Sequence, residues 1–153
     1  MRYISRLQAL VVAAALLACS SVLAESLNAK NIRPSGLTAD QAKQVLLVVL
    51  KHQRYKMSNP DMWIDGPWQG EEKGTLFRAG YYDFGLVFNN PKGAASNVLG
   101  HFAVNILTGD VWETESCERF SSATLSGIQK RISVQTGKNL TNEEVARSEI
   151  GCE

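Results

Sequence analysis

The chain has 153 residues, 44% of them hydrophobic and 20% charged, with 16 Lys and Arg against 15 Asp and Glu. That length suits one domain around one core, and the near-balanced charge with no basic run excludes the electrostatic footprint of a nucleic-acid binder. Its two histidines and three cysteines lack the close spacing of zinc ligands, which excludes a metal centre as the organising feature.

In chain order, the first element is an export signal. Arg2 and Arg6 precede a short apolar run over residues 10–18, and Val22-Leu23-Ala24 offers a peptidase site. The run is far below the ~20 residues that span a bilayer. Cleavage before Glu25, making residues 1–24 a signal peptide, is the preferred route and places the mature protein in the periplasm. The competing route runs through Leu16-Leu17-Ala18-Cys19, which resembles the lipobox of bacterial lipoproteins. Lipidation of Cys19 would make the protein an outer-membrane lipoprotein facing the periplasm, and this is its one route to a membrane. Loss of Arg2 and Arg6 takes the formal charge from +1 to −1.

Residues 25–36 are polar, end in Pro34-Ser35-Gly36 and read as a flexible lead-in. Residues 37–153 form a single domain. Thr38 and Gln41 make a capping box, and Ala42, Val45, Leu46, Val49 and Leu50 recur at helical spacing up to Gln53. Asn59-Pro60 disfavours continuation. The loop of residues 59–74 follows, with a short strand at residues 62–65.

From Thr75 the period is two. Tyr82, Phe84, Leu86 and Phe88 fall on one face, and Tyr81, Asp83, Gly85 and Val87 on the other. The spacing predicts an antiparallel meander over residues 76–88, 98–107 and 110–114, with Thr108-Gly109-Asp110 as the tight reversal. Gly80, Gly85 and Gly100 mark bulges or bends of a curved sheet. Two short helices should follow. One is capped by Ser121 or Ser122, buries Leu125, Ile128, Ile132 and Val134, and stops at Gly137. The other opens on a capping box at Thr141-Asn142-Glu143-Glu144 and ends near Ile150-Gly151. The predicted class is α+β: an N-terminal helix on a curved antiparallel meander of three to four strands, then two short helices.

Either processing route leaves Cys117 and Cys152, which pair as a disulfide in an oxidising compartment. Cys117 lies between Glu115 and Glu118, acids that oppose a nucleophilic thiolate. No Gly-x-Ser-x-Gly elbow or phosphate-binding glycine loop is present. His52 and His101 read as structural or surface histidines. No catalytic residue, metal or cofactor is expected. A hydrolytic or small-ligand-binding domain would need Asp83, His101 and Glu113 to converge in a pocket, whereas the simpler account has Asp83 facing water.

The loop of residues 59–74 is the best partner-binding candidate. It gathers Trp63 and Trp68 with Asp61, Asp65, Glu71 and Glu72 between flexible residues, and tryptophans on loops serve as interface anchors. The simpler reading, and the preferred one, is that the two tryptophans cover one end of the core.

Three blocks carry a family likeness: Gly80-Tyr81-Tyr82-Asp83-Phe84-Gly85, Gly100-His101-Phe102-Ala103-Val104-Asn105 and Leu107-Thr108-Gly109-Asp110-Val111-Trp112-Glu113. The last resembles the Thr-Gly-Asp/Glu-Val-Trp hairpin of NTF2-like immunity proteins. The overall plan is similar to small exported Gram-negative proteins of NTF2-like or cystatin-like build, including periplasmic proteins that neutralise secreted cell-wall enzymes. The resemblance implies a non-enzymatic immunity protein or inhibitor whose partner is a secreted toxin or cell-wall enzyme. An envelope structural role is the alternative for a lipoprotein, and homodimerisation through the meander stays open.

Overall fold

The capping box opens the first helix, α1 (Ala39–His52): the Thr38 amide donates to Gln41 Oε1 at 2.8 Å, and the Gln41 amide donates to Thr38 Oγ1. The computed structural model describes residues 27–28, 31–93 and 96–152. The expected signal peptide, Cys19 and both cleavage sites lie outside these residues. The segment read as a flexible lead-in enters the core instead, since Leu27 and Ile32 are buried with α1. The Leu37 amide then donates to the Ile106 carbonyl. Two apolar side chains among polar neighbours are too few to register as a periodic signal.

Among the described residues five antiparallel strands follow as a meander, in the spatial order of the chain: β1 (Met62–Asp65), β2 (Tyr81–Asn89), β3 (Ser96–Asn105), β4 (Val111–Glu113) and β5 (Glu118–Arg119). β2 begins at Tyr81 rather than residue 76, because the Tyr81 amide closes a turn onto the Arg78 carbonyl. β3 ends at Asn105, whose side chain accepts from the Leu107 and Thr108 amides and folds the chain back. β5 leaves no signal in the sequence, since two residues carry no alternation. The register slips between Leu86 and Val87; this bulge bends the sheet at its pairing with Gly100.

The two faces of the sheet are both used. Phe84, Leu86, Phe102, Val104 and Val111 face α1 and the second helix, α2 (Ala123–Thr136), and make the main core. Tyr81, Ala103 and Trp112 face the opposite way, under the third helix, α3 (Glu143–Glu149), and the C-terminal tail. The α1 side is the inner face of the sheet and the opposite side is its outer face. Alternation supplies both rows, but only the tail supplies a cover for the second.

The α2 N-cap is Ser122, and Gly137 ends the helix in the left-handed conformation. Val134 is 74% exposed, contrary to its expected burial. It lies about half a turn from Ile132, and the inward position one turn on is Thr136, whose hydroxyl donates to the Leu107 carbonyl at 2.8 Å. The α3 cap is Asn142, one residue later than the expected Thr141, and accepts from the Val145 amide. The Thr141 carbonyl is engaged by Arg119. Cys117 and Cys152 form a disulfide that fastens the tail over the outer face.

Candidate partner-binding face

The 59–74 loop divides at β1. Asp61 leads into the strand, where its carbonyl accepts from the Asn89 amide. Among the described residues β1 pairs only with β2, which makes it an edge strand. Ile64 points inward and is buried, so Trp63 and Asp65 on either side of it point outward. Trp63 is 41% exposed.

Beyond Asp65 the chain turns through a cis Gly66-Pro67 bond and lays Trp68 on the outer face. The Trp68 amide donates to the Asp83 carbonyl at 2.8 Å, and its indole N–H donates to Asp65 Oδ2 at 3.1 Å. Its ring fills the space above Gly85. A Cβ there would lie 2.8 Å from Trp68 Cζ2, so any side chain at this position would have to displace the indole. The ring edge meets the His101 imidazole at a centroid distance of 5.0 Å, and His101 Nδ1 lies 2.7 Å from Glu115 Oε1. Trp68 is thus a half-buried support, while Trp63 is the open aromatic. Glu71 and Glu72 are exposed in the turn that follows, where the Thr75 amide and hydroxyl donate to the Glu72 carbonyl. The structure brings together Trp63, Asp65 and Trp68 on one face and puts Glu71 and Glu72 on a separate tip.

The loop returns to the sheet through Arg78. Asp83 does not face water: it is 3% exposed, on the outer face, with Oδ1 3.3 Å from Arg78 Nη1. The reason is local cover, since alternation places Asp83 outward and the returning loop then buries it. Asp83 Oδ2 and Arg78 Nη1 are buried with no hydrogen-bond partner among the described residues. Burial pushes the Asp83 carboxyl up from 3.8 to about 6, against the opposing pull of Arg78.

The convergence of Asp83, His101 and Glu113 that a hydrolytic site would need does not occur. Asp83 and His101 lie on the outer face, whereas Glu113 stands opposite Phe102 on the inner face. Glu113 closes the turn into β5 by accepting from the Ser116 amide and hydroxyl. Partial burial pushes its carboxyl up, but these hydrogen bonds outweigh that and hold it below the usual carboxylate range.

The Thr-Gly-Asp-Val-Trp block proves structural. Asp110 is 2% exposed, and its carboxylate accepts from Arg119 Nε at 2.9 Å and Trp112 Nε1 at 3.0 Å. A second arginine contact, Nη2 to Oδ2, measures 2.8 Å. The guanidinium also stacks on Trp112 and donates to the Thr141 carbonyl. Gly109 adopts φ +68, and a Cβ there would lie 2.4 Å from Ile132 Cδ1. Its carbonyl accepts from the Gln129 side chain of α2. Half-buried Val87 and exposed Val98 and Glu115 complete the open part of the outer face, and sequence reasoning named none of them as a binding candidate. Their signal was the outward row of the meander, which becomes legible only with the strand register.

Residues 36–144 match the family model described as "T6SS, Immunity protein Tgi2PP". Among solved structures the chain is similar to one from a type VI secretion system effector-immunity complex of Pseudomonas protegens. The identity is 46%, over 84% of this chain and 99% of that chain, with a TM-score of 0.76. No curated protein matches. With more than half of its length matched by the family model, the chain belongs to the Tgi2PP family of type VI secretion immunity proteins.

Proposed function

We propose that this protein is a non-enzymatic periplasmic immunity protein that binds and blocks a secreted effector acting on the cell wall. The observation that carries the reading is the 46% identity, over nearly the whole of the other chain, to a chain from an effector-immunity complex. The export signal at residues 1–24 supports the periplasm, where a cell-wall effector would act. The sequential meander wrapped on α1 supports a cystatin-like build.

The binding residues are Asp61, Trp63, Asp65, Trp68, Glu71 and Glu72. Trp63 supplies the aromatic anchor. Trp68 keeps β1 and its acids in place through Asp65 and Gly85. The acids attract and orient a basic partner surface, which speeds encounter more than it adds affinity.

The reading expects the effector's gene beside this one, and calorimetry between the mature chain and that gene's product tests it. The expected result is a stoichiometric complex that silences the effector's hydrolysis of purified peptidoglycan, and Trp63→Ala should raise Kd by about tenfold or more. Absence of binding at micromolar concentrations overturns the reading.

A further inference from the structure

Two side-chain rows cross the outer face beside the loop. Trp63, Val87 and Val98 stand opposite one another across β1, β2 and β3, and residues opposite in register share a face. Ile64 and Leu86 on the same strands point into the core, so this row points out. Val98 is 53% exposed. The adjacent row is Asp65, Gly85 and His101, with Trp68 filling the glycine gap and Glu115 closing on His101. The rest of the outer face is occupied: Arg78 covers Asp83, and α3 and the tail cover Tyr81, Ala103 and Trp112.

The strands that make the open part of this face carry acids but no lysine or arginine. Residues 59–72, 81–89, 96–105 and 111–118 contain no lysine or arginine. The basic residues next to these segments are Lys73 and Lys92 in the adjoining turns, Arg78, paired with buried Asp83, and Arg119, committed to Asp110. An apolar row is therefore edged by Asp65 at one end and by Glu115, 66% exposed, at the other. An apolar centre inside a polar rim is the anatomy of a recognition surface.

We propose that the effector docks across this open part of the sheet, not on the loop alone. Val98, His101 and Glu115 are then binding residues, and the complementary effector surface is apolar at its centre and basic at its rim. The proposal rests on the reading of the chain as an immunity protein and extends its site onto β3 and the turn before β5. The acids of these strands and the continuity with Trp63 and Asp65 single out a basic protein partner over a second copy of this acidic face, which would repel itself.

The test is calorimetry of the mature chain with the effector encoded beside its gene, at low and high salt. Val98 and Glu115 are exposed and the Glu115–His101 pair is a surface contact, so Val98→Ser/Glu115→Lys should lower the thermal midpoint by no more than a few degrees. It should raise Kd by about tenfold or more. The wild-type Kd should rise with salt. Tight wild-type binding that the double variant changes by less than about twofold overturns this proposal and leaves the immunity reading standing. No wild-type binding overturns both. Hydrogen exchange on the wild-type complex avoids dependence on variant folding. Protection of amides at residues 97–101 and 113–117 on binding supports the docking, and its absence overturns it.

Discussion

Asp83 and Asp110 are buried carboxylates that meet arginine in different ways. Asp110 has both oxygens engaged by Arg119 and one also by the Trp112 indole. Asp83 has a single 3.3 Å contact and an orphaned oxygen, and a carboxylate left so poorly satisfied is costly to keep charged. Its carboxyl is accordingly pushed up from 3.8 to about 6, mainly by burial. The native state thus holds a proton that the unfolded chain releases from about pH 4. The stability contributed by this group is fully present below that pH and is lost as pH rises through about 6. Urea midpoints of the wild type relative to Asp83→Asn should fall between pH 4 and 7, by on the order of 1–3 kcal/mol of stability. A constant difference across that range would show that Asp83 titrates normally.

Between elements, the contacts that matter join neighbours of different type. The Asp110–Arg119 pair ties the β3–β4 turn to β5 and, through the Thr141 carbonyl, to the start of α3. Breaking one partner of a buried ion pair strands the other charge and costs about 3–5 kcal/mol. Asp110→Ala should show that loss in denaturant melts, with Trp112 fluorescence reporting the released indole. The same scale explains what sequence patterning missed. Val134 is apolar yet lies in solvent, because it stands about half a turn from Ile132, off the inward stripe that Thr136 continues by bonding to Leu107. The cap of α3 falls on Asn142 because the neighbouring Thr141 carbonyl serves Arg119.

For the whole molecule, the disulfide decides whether the outer face is closed at one end. Cys152 is buried against Tyr81 and Trp112, and Tyr81 donates its hydroxyl to Glu149 of α3 at 2.9 Å. Burial, with Glu149 nearby, pushes the Tyr81 phenol up to about 12, so it remains a donor at neutral pH. The Cys117–Cys152 bond spans 35 residues, which the chain-entropy model values at ~3–4 kcal/mol. Replacing both cysteines by alanine should lower stability by about that amount. Hydrogen exchange should then show residues 143–152 opening before α1. Equal protection of the two segments in that variant would contradict the role of the bond in holding the tail.

The amino-acid sequence by itself determined the elements whose information is local. The capping box of α1, its five-residue apolar stripe and the Thr-Gly-Asp turn are set by neighbours within a few residues. So was the α+β order, because a period of 3.6 giving way to a period of two is visible along the chain. Only the tertiary structure decided what lies on top of what. Alternation placed Asp83 and Gly85 on one face, but the loop that buries the first and the tryptophan that fills the second arrive from residues 66–80. The open row of Trp63, Val87 and Val98 depends on register across three strands and a bulge, and a one-residue slip would turn each of those side chains inward. Which face stays free to meet a partner is a property of long-range pairing, and no local window contains it.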